Sequence, residues 1–204
     1  MINRNYYEKN NGYRYVIKQL KIKLGNDTTE SIMKKSVSEC NTLCKKYNNQ
    51  SRQLKMHTHR MIFPRVSFYL EMIKYISRKD AVALLNKAIE IGVEDDVKRL
   101  KSITRFRFFR SLFIRLFPLA EKFAFNEKSE FETNTLVKTG KQYRVDILKC
   151  PYCKYCEILG CKELTSTFCL SDDYIYGNMT GIRYKRCGTL GRGYDRCDFD
   201  FMKE

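Results

Sequence analysis

The stretch QYRVDIL, residues 142–148, decides the class of fold because its apolar and polar side chains alternate. A period of two is typical of a β-strand with one buried face. A second run, Asn134–Lys138, precedes it across Thr139-Gly140-Lys141, and this spacing predicts a β-hairpin. This part of the chain is therefore predicted to form antiparallel strands.

A second hairpin is predicted at the end of the sequence. Ile182–Thr189 and Arg196–Met202 flank Gly191-Arg192-Gly193, whose glycines permit the positive φ angles of tight turns. Apolar and polar positions alternate again in the last strand, so Cys197 is predicted to face the core.

The residues before these strands have helical periodicity. Apolar side chains recur at spacings of three and four, which predicts helices from Thr28 or Thr29 to Tyr47, from Arg52 towards Pro64, from there to about Ile76, over Ala81–Ile91 and over Glu94–Ala120. Cys40 and Cys44 lie on one of these stripes and are predicted to be core residues. Two shorter helical segments, about Tyr152–Leu164 and Cys169–Tyr176, lie between the hairpins.

Helices first and antiparallel strands last predict an α+β fold, with N-terminal helices packed on a C-terminal antiparallel β-sheet. Residues 1–27 are polar and weakly patterned and are predicted to form an N-terminal arm. Residues 28–204 are predicted to form a single domain, with a basic helical part at 28–125 and a sheet-forming part at 126–204.

The segment RFRFFRSLFIRLF, residues 105–117, mixes arginine with phenylalanine and leucine. On a helix, this composition suits a membrane surface or stacking on single-stranded bases. We favour a core helix whose arginine stems cover apolar surface while their charged ends stay in water. One helical stripe contains Ile103, Phe106, Phe109, Phe113 and Phe117.

The charge of the chain is large and uneven. The 204 residues carry a formal net charge of +16, and residues 1–125 alone contain 26 Lys/Arg against 11 Asp/Glu. A basic surface attracts nucleic acid or anionic membrane, or steers a small anion, or simply aids solubility. The basic residues are dispersed through the helical segments, so a nucleic-acid partner is not expected.

Several features bear on the setting of the protein. No uncharged apolar run reaches about 18 residues, so no membrane span is predicted. The first residues lack the apolar core of a signal peptide. The nine cysteines are odd in number and cannot all pair within the chain. A cytoplasmic location with reduced thiols is the expectation.

The pattern Cys150-Pro-Tyr-Cys153-Lys-Tyr-Cys156 contains two overlapping CxxC spacings. It is compatible with a zinc site, an iron–sulfur cluster, a redox-active pair or unlinked thiols, and the second cysteine knuckle of a typical zinc site is missing. We predict no metal and no cofactor; if a metal binds, these three cysteines are its ligands. His57 and His59 are two residues apart and would point to different faces of a helix, which disfavours a shared metal.

The last third of the chain resembles a known family. The motifs are RVDILKC (144–150), Cys169-Leu-Ser-Asp172-Asp173, Arg186-Cys-Gly-Thr189, Gly193 and Cys197-Asp198-Phe199. Together they resemble the L-2-amino-thiazoline-4-carboxylic acid hydrolase family, and the ending is also similar to V4R domains, which bind small molecules. Both resemblances imply helices packed against an antiparallel sheet, a V4R-like fold.

The hydrolase resemblance implies hydrolysis of a carbon–nitrogen bond in a small, anionic cyclic amidine. The chemistry requires a thiolate or an activated water. Cys169 is the preferred nucleophile because Asp172 lies nearby, and Cys150 at a strand end is the second choice. The remaining assignments are Asp172 as general base or partner of the amidine cation, and Arg186, Thr189 and Asp198 as substrate-binding residues, with Arg186 holding the carboxylate.

Two other functions remain open at this stage. A non-enzymatic module of the V4R type would bind a small ligand or dock a partner in the same place. A zinc-containing nucleic-acid-binding protein would account for the basic helices and the Cys150/Cys153/Cys156 group. A homodimer is also compatible with a chain of this size.

Overall fold

The computed structural model describes residues 1–204 and consists of ten α-helices and four β-strands. The helices are α1 Arg4–Lys9, α2 Asn11–Leu24, α3 Asn26–Lys46, α4 Arg52–His57, α5 Phe63–Met72, α6 Arg78–Gly92, α7 Glu94–Ile103, α8 Arg107–Ala124, α9 Pro151–Ile158 and α10 Thr165–Gly177. The strands are β1 Glu132–Lys138, β2 Gln142–Lys149, β3 Ile182–Lys185 and β4 Cys197–Lys203. The predicted α+β class is confirmed.

The four strands form one antiparallel sheet in the order β1-β2-β4-β3. In the central pair, Val145 lies opposite Phe199 and Ile147 lies opposite Cys197. The side chains of these four residues are buried on the same face of the sheet, as their alternation predicts. The β3–β4 connection is longer than a tight hairpin and contains a 3₁₀ turn at Leu190–Arg192.

Two apolar cores lie side by side. The larger one is built mainly by α2, α3, α5 and α6 and also contains the buried thiols of Cys40 and Cys44, as predicted. The smaller one lies between α8 and the inner face of the sheet, where Ile114 packs with Val145 and Phe201. Tyr152 of α9 contacts both cores, so α9 lies at their junction.

Residues 1–27 are not a separate arm, which corrects the sequence-based expectation. Tyr7 of α1 is fully buried and its hydroxyl donates a hydrogen bond of 2.9 Å to the carbonyl oxygen of Pro64. α2 packs along α6 so closely that a Cβ on Gly12 would lie 2.0 Å from the carbonyl oxygen of Ala88. The many tyrosines and lysines in this segment obscure its apolar stripe, which includes Val16 and Leu20.

The predicted helix Glu94–Ala120 is two helices, which is a second correction. The chain turns between α7 and α8, where Thr104 is buried. Its hydroxyl donates to the carbonyl oxygen of Leu100 at 2.8 Å and accepts a hydrogen bond of 2.9 Å from the backbone N–H of Thr180. Arg110 Nε donates to the carbonyl oxygen of Thr104 at 2.7 Å. These contacts satisfy the backbone at the turn in place of helical bonds.

The break rotates α8 relative to the predicted stripe, so the expected core packing of residues 105–117 holds only in part. Phe113 and Phe117 pack on Phe201 as part of the smaller core. Phe106 and Phe109 are exposed, because the stripe that joined them to Ile103 assumed an uninterrupted helix. α8 thus has one apolar face against the sheet and a second one in solvent.

The chain contains no helix that is both long and apolar enough to span a membrane.

Candidate active site

A cavity of about 180 Å³ lies where the two cores meet, between the sheet, α5, α8, α9 and α10. Most of its wall is apolar, with aromatic side chains such as Phe117 and Phe168. Polar and thiol groups are also part of the wall: Arg65, Glu121, Cys150, Cys153, Thr165, Cys169, Ser171, Asp172, Arg186 and Cys197. An apolar cavity with a few convergent polar groups is typical of a small-molecule site.

α10 provides the two residues that the sequence predicts as nucleophile and base. Cys169 and Asp172 are three residues apart, so they lie on the same face of the helix and both line the cavity. Gly191 lies against this helix: a Cβ at that position would be 3.0 Å from Cys169 Sγ and 3.0 Å from Thr165 Cγ2. The absence of a side chain at Gly191 therefore leaves room for the Cys169 thiol.

Arg186 directly follows β3 and binds three groups of α10 through its guanidinium. Its side chain is 2 % exposed. Nη1 lies 3.2 Å from Asp172 Oδ2, and Nη2 lies 2.5 Å from Asp173 Oδ1 and 2.7 Å from the carbonyl oxygen of Cys169. The ring of Phe199 lies beneath the guanidinium at 4.9 Å. Two carboxylates of the chain thus already balance this cation.

The protonation states of the α10 residues follow from their surroundings. Burial raises the pKa of Asp172 to about 6, and the nearby charge of Arg186 limits the rise. Burial also raises the pKa of Cys169, while the neighbouring Thr189 hydroxyl and Arg186 oppose the rise. Near neutral pH, Asp172 is therefore mainly a carboxylate and Cys169 mainly a thiol. This combination suits proton transfer from the thiol to the carboxylate.

Cys150 and Cys153 form a thiol pair at the start of α9. Cys150 caps the helix and Pro151 occupies its first turn. The neighbouring Cys153 thiol and burial raise the pKa of Cys150. Both residues line the cavity. The pair therefore adds two thiols to the cavity wall beside Cys169.

The three cysteines proposed as metal ligands do not converge. Cys156 is fully buried in the larger core, where the Cys161 thiol is its hydrogen-bonding neighbour. No group of three or more His, Cys, Asp or Glu side chains in the chain is arranged to hold a metal ion. His57 and His59 are instead engaged by the backbone carbonyls of Ala124 and Cys44, at 2.8 and 3.1 Å. The three cysteines and the two histidines are therefore not arranged as one shared site.

Thr189 and Asp198 lie beside the cavity rather than in its wall. The Thr189 hydroxyl is buried without a hydrogen-bond partner and lies next to the Cys169 thiol. The Asp198 carboxylate accepts hydrogen bonds from the backbone N–H groups of Cys187, at 3.0 Å, and Gly188, at 2.8 Å. Asp198 thus holds the loop after β3, and the structure does not bring it to the other predicted site residues.

Cavity residues that the sequence analysis did not select are Arg65, Glu121 and Tyr152. Glu121 is buried; its Oε2 accepts a hydrogen bond of 3.2 Å from the Tyr143 hydroxyl, and its Oε1 has no partner. The sequence does contain a signal for Glu121. It lies three residues after Pro118 and seven after Ile114, which puts an acidic side chain on the buried face of α8. Tyr152 donates from its hydroxyl to Nδ1 of His57 at 3.1 Å. No local sequence pattern around Arg65 indicates that it lines the cavity.

Comparison with known proteins gave one match. The family model described as L-2-amino-thiazoline-4-carboxylic acid hydrolase matches residues 55–201. This range includes every residue that lines the cavity, from Met61 to Phe199, and excludes α1, α2 and α3. Neither the curated proteins nor the solved structures contain a significant match.

Proposed function

The chain belongs to the L-2-amino-thiazoline-4-carboxylic acid hydrolase family, and on this premise we propose that it hydrolyses a carbon–nitrogen bond of a small cyclic amidine in the cavity between its two cores. The observation that carries the proposal is the meeting of Cys169, Asp172 and Arg186 around one cavity. A thiol and a carboxylate with a raised pKa supply the nucleophile and the base that attack on an amidine carbon requires, and Arg186 holds both on one turn of α10.

The proposed reaction has two stages. In the first, Asp172 accepts the proton of Cys169, and the thiolate sulfur bonds to the amidine carbon. The bond from that carbon to the ring nitrogen then breaks, and protonated Asp172 returns its proton to the leaving nitrogen. The ring is now open, and the former amidine carbon is attached to Cys169 as a thioimidate.

In the second stage Asp172 accepts a proton from a water molecule, whose oxygen bonds to the same carbon. The carbon–sulfur bond to Cys169 breaks, and the departing thiolate takes up the proton. The product carries a carbamoyl group, and the net reaction consumes one water. For 2-aminothiazoline-4-carboxylate the product is a carbamoyl-cysteine.

The surrounding residues hold these groups in position. Arg186 binds both the carbonyl oxygen of Cys169 and the carboxylate of Asp172, which fixes the turn of α10 between them. The unpartnered Thr189 hydroxyl lies close enough to the Cys169 thiol to stabilise its anionic form. Glu121, whose Oε1 atom lacks a partner, is placed in the cavity wall to accept a hydrogen bond from the amidine.

The test is turnover of 2-aminothiazoline-4-carboxylate by purified protein, with the carbamoyl product identified by mass spectrometry. We expect Cys169→Ala to lower kcat/KM by at least about 10³-fold, and Cys150→Ala to lower it much less. Cys187→Ala is the matched control, because Cys187 is exposed and does not line the cavity. Full turnover by Cys169→Ala would exclude thiol catalysis at this residue.

A non-enzymatic binding module of the V4R type is the second candidate, and the largely apolar cavity wall favours it. In an enzyme the polar groups of the cavity convert the bound amidine, whereas in a sensor they only bind it. A sensor binds the amidine with the same affinity before and after Cys169→Ala and releases it unchanged. An enzyme accumulates the ring-opened product, which the mass spectrum distinguishes from the substrate by the mass of one water.

A further inference from the structure

Arg65 places a positive charge in the cavity wall that nothing in the chain balances. It belongs to α5, and its guanidinium carbon lies 4.1 Å from the centre of the Phe168 ring. Its Nη1 atom is buried and has no hydrogen-bond partner. Buried donors in proteins are almost always satisfied, so a buried Nη1 atom without a partner in the chain favours a bound acceptor. Arg65 therefore differs from Arg186, which has two carboxylate partners.

The nearby acids do not pair with Arg65. Glu121 also lines the cavity, but its Oε2 accepts a hydrogen bond from the Tyr143 hydroxyl and it forms no salt bridge. Asp172 and Asp173 pair with Arg186, and Asp173 also pairs with Arg192. Asp96 borders a second cleft that Arg65 also lines, but it is exposed on α7 and forms no salt bridge with Arg65. No other carboxylate lies in salt-bridge contact with the Arg65 guanidinium.

The phenols around Arg65 do not supply the missing negative charge. Tyr6, Tyr13 and Tyr152 all lie close enough for its cation to favour their ionised forms. Burial nevertheless raises the pKa of each phenol, so all three stay neutral near pH 7. The positive charge of Arg65 therefore remains available inside the cavity.

We propose that Arg65 is the receptor for the carboxylate of the substrate and thereby selects carboxylated ligands for this cavity. A guanidinium binds a carboxylate through two parallel hydrogen bonds, and the Phe168 ring beneath it keeps its plane fixed. Arg186, the residue that the sequence indicates for this role, has its Nη atoms on Asp172, Asp173 and the Cys169 carbonyl. The identity of the carboxylated substrate rests on the proposed function. The presence of an anion site at Arg65 does not.

The first experiment compares two substrates that differ only in the carboxylate, 2-aminothiazoline-4-carboxylate and 2-amino-2-thiazoline. The variants are Arg65→Met, which removes the charge and keeps an unbranched stem, and Arg65→Lys, which keeps the charge without the two-pronged geometry. For the carboxylated compound we expect KM to rise about 10- to 100-fold in Arg65→Met and less in Arg65→Lys. For 2-amino-2-thiazoline we expect no change.

The matched control is Arg60→Met, an exposed arginine one helical turn earlier whose side chain does not line the cavity. Its KM for both compounds stays at the wild-type value. If Arg65→Met and the wild-type protein have the same KM for the carboxylated compound, the assignment of Arg65 is overturned, and the proposed hydrolase activity stands.

A second experiment does not depend on turnover. Benzoate and its neutral counterpart benzamide are titrated into the protein, and binding is followed by the midpoint of thermal unfolding. We expect benzoate to raise the midpoint of the wild-type and Arg60→Met proteins but not that of Arg65→Met, whereas benzamide has the same effect on all three. If the protein shows this benzoate result but turns over neither thiazoline compound, the anion site is supported and the hydrolase proposal is wrong. Equal protection of the wild-type and Arg65→Met proteins by benzoate overturns the anion site.

Discussion

The Nη2 atom of Arg186 donates a hydrogen bond of 2.7 Å to the backbone carbonyl oxygen of Cys169. Because the same guanidinium binds Asp172 and Asp173, one side chain from the end of the β3 segment holds three points on α10. The position of the proposed nucleophile therefore depends on a residue 17 positions further along the chain.

Replacement of Arg186 by glutamine should destabilise the protein. The change leaves Asp172 without its counter-ion and Asp173 with only Arg192, in a site where the side chain of Arg186 is almost fully buried. Because the two carboxylates keep 36 % and 30 % of their side-chain surface exposed, water offsets part of the loss, and we expect a cost of about 1–3 kcal/mol. Urea unfolding measures the loss, and Lys185→Gln, an exposed residue on β3, is the control with an expected change within about 0.5 kcal/mol. A stable Arg186→Gln protein would contradict the anchoring role.

A methyl group at Gly191 should disturb the thiol of Cys169. The added Cβ in Gly191→Ala would lie 3.0 Å from both the Sγ atom of Cys169 and the Cγ2 atom of Thr165, which is tighter than ordinary contact. We expect kcat/KM to fall about tenfold or more, since small displacements of reacting groups are costly. Gly140→Ala is the control because a Cβ at Gly140 meets open space. Wild-type kinetics in Gly191→Ala would show that Cys169 does not need its present position.

Local sequence patterns were sufficient for much of the fold. The period-two alternation of residues 142–148 places Val145 and Ile147 on the buried face of β2. Ser77 caps α6, because its hydroxyl accepts a hydrogen bond of 3.1 Å from the backbone N–H of Asp80. That Cys169 and Asp172 both line the cavity also follows from local spacing, because a helix brings residues three positions apart to the same face.

Contacts between distant segments account for what the sequence did not reveal. The break at Thr104 depends on a hydrogen bond to Thr180, 76 residues away. Arg65 reaches the cavity because α5 packs near Phe168 of α10, and no pattern around residue 65 distinguishes it from the other dispersed arginines. The ion pairs of Arg186 with Asp172 and Asp173 likewise could not be predicted, because only the tertiary structure brings these side chains together.

The two faces of α8 should respond differently to truncation. Ile114 is 1 % exposed and packs against the sheet, whereas Phe108 is 71 % exposed on the opposite side of the helix. We expect Ile114→Ala to lower the free energy of unfolding by about 2–5 kcal/mol because it leaves a cavity in the core. We expect Phe108→Ala to change it by less than about 0.5 kcal/mol. Chemical denaturation of both variants measures this, and equal losses would mean that the solvent-facing side of α8 is covered.

Activity should rise with pH through the ionisation of Asp172. Its pKa is raised from 3.8 to about 6, so the carboxylate that accepts the Cys169 proton becomes fully populated only above about pH 6. We expect kcat/KM to increase with pH up to about pH 7 and the increase to disappear in Asp172→Asn, whose residual rate is low. The same shift has a consequence for stability. Because the folded state holds the Asp172 proton more tightly than the unfolded state does, this residue makes the protein less stable as pH rises from about 4 to about 6.

Urea unfolding of the wild-type and Asp172→Asn proteins at pH 4, 5, 6 and 7 tests the second consequence. The stability of the variant relative to the wild type should increase across this range, since asparagine has no charge to desolvate. Asp195→Asn is the control because Asp195 is 79 % exposed, and its stability difference from the wild type should stay constant. If activity rises through pH 6 while the stability difference for Asp172→Asn stays flat, a group other than Asp172 is the base.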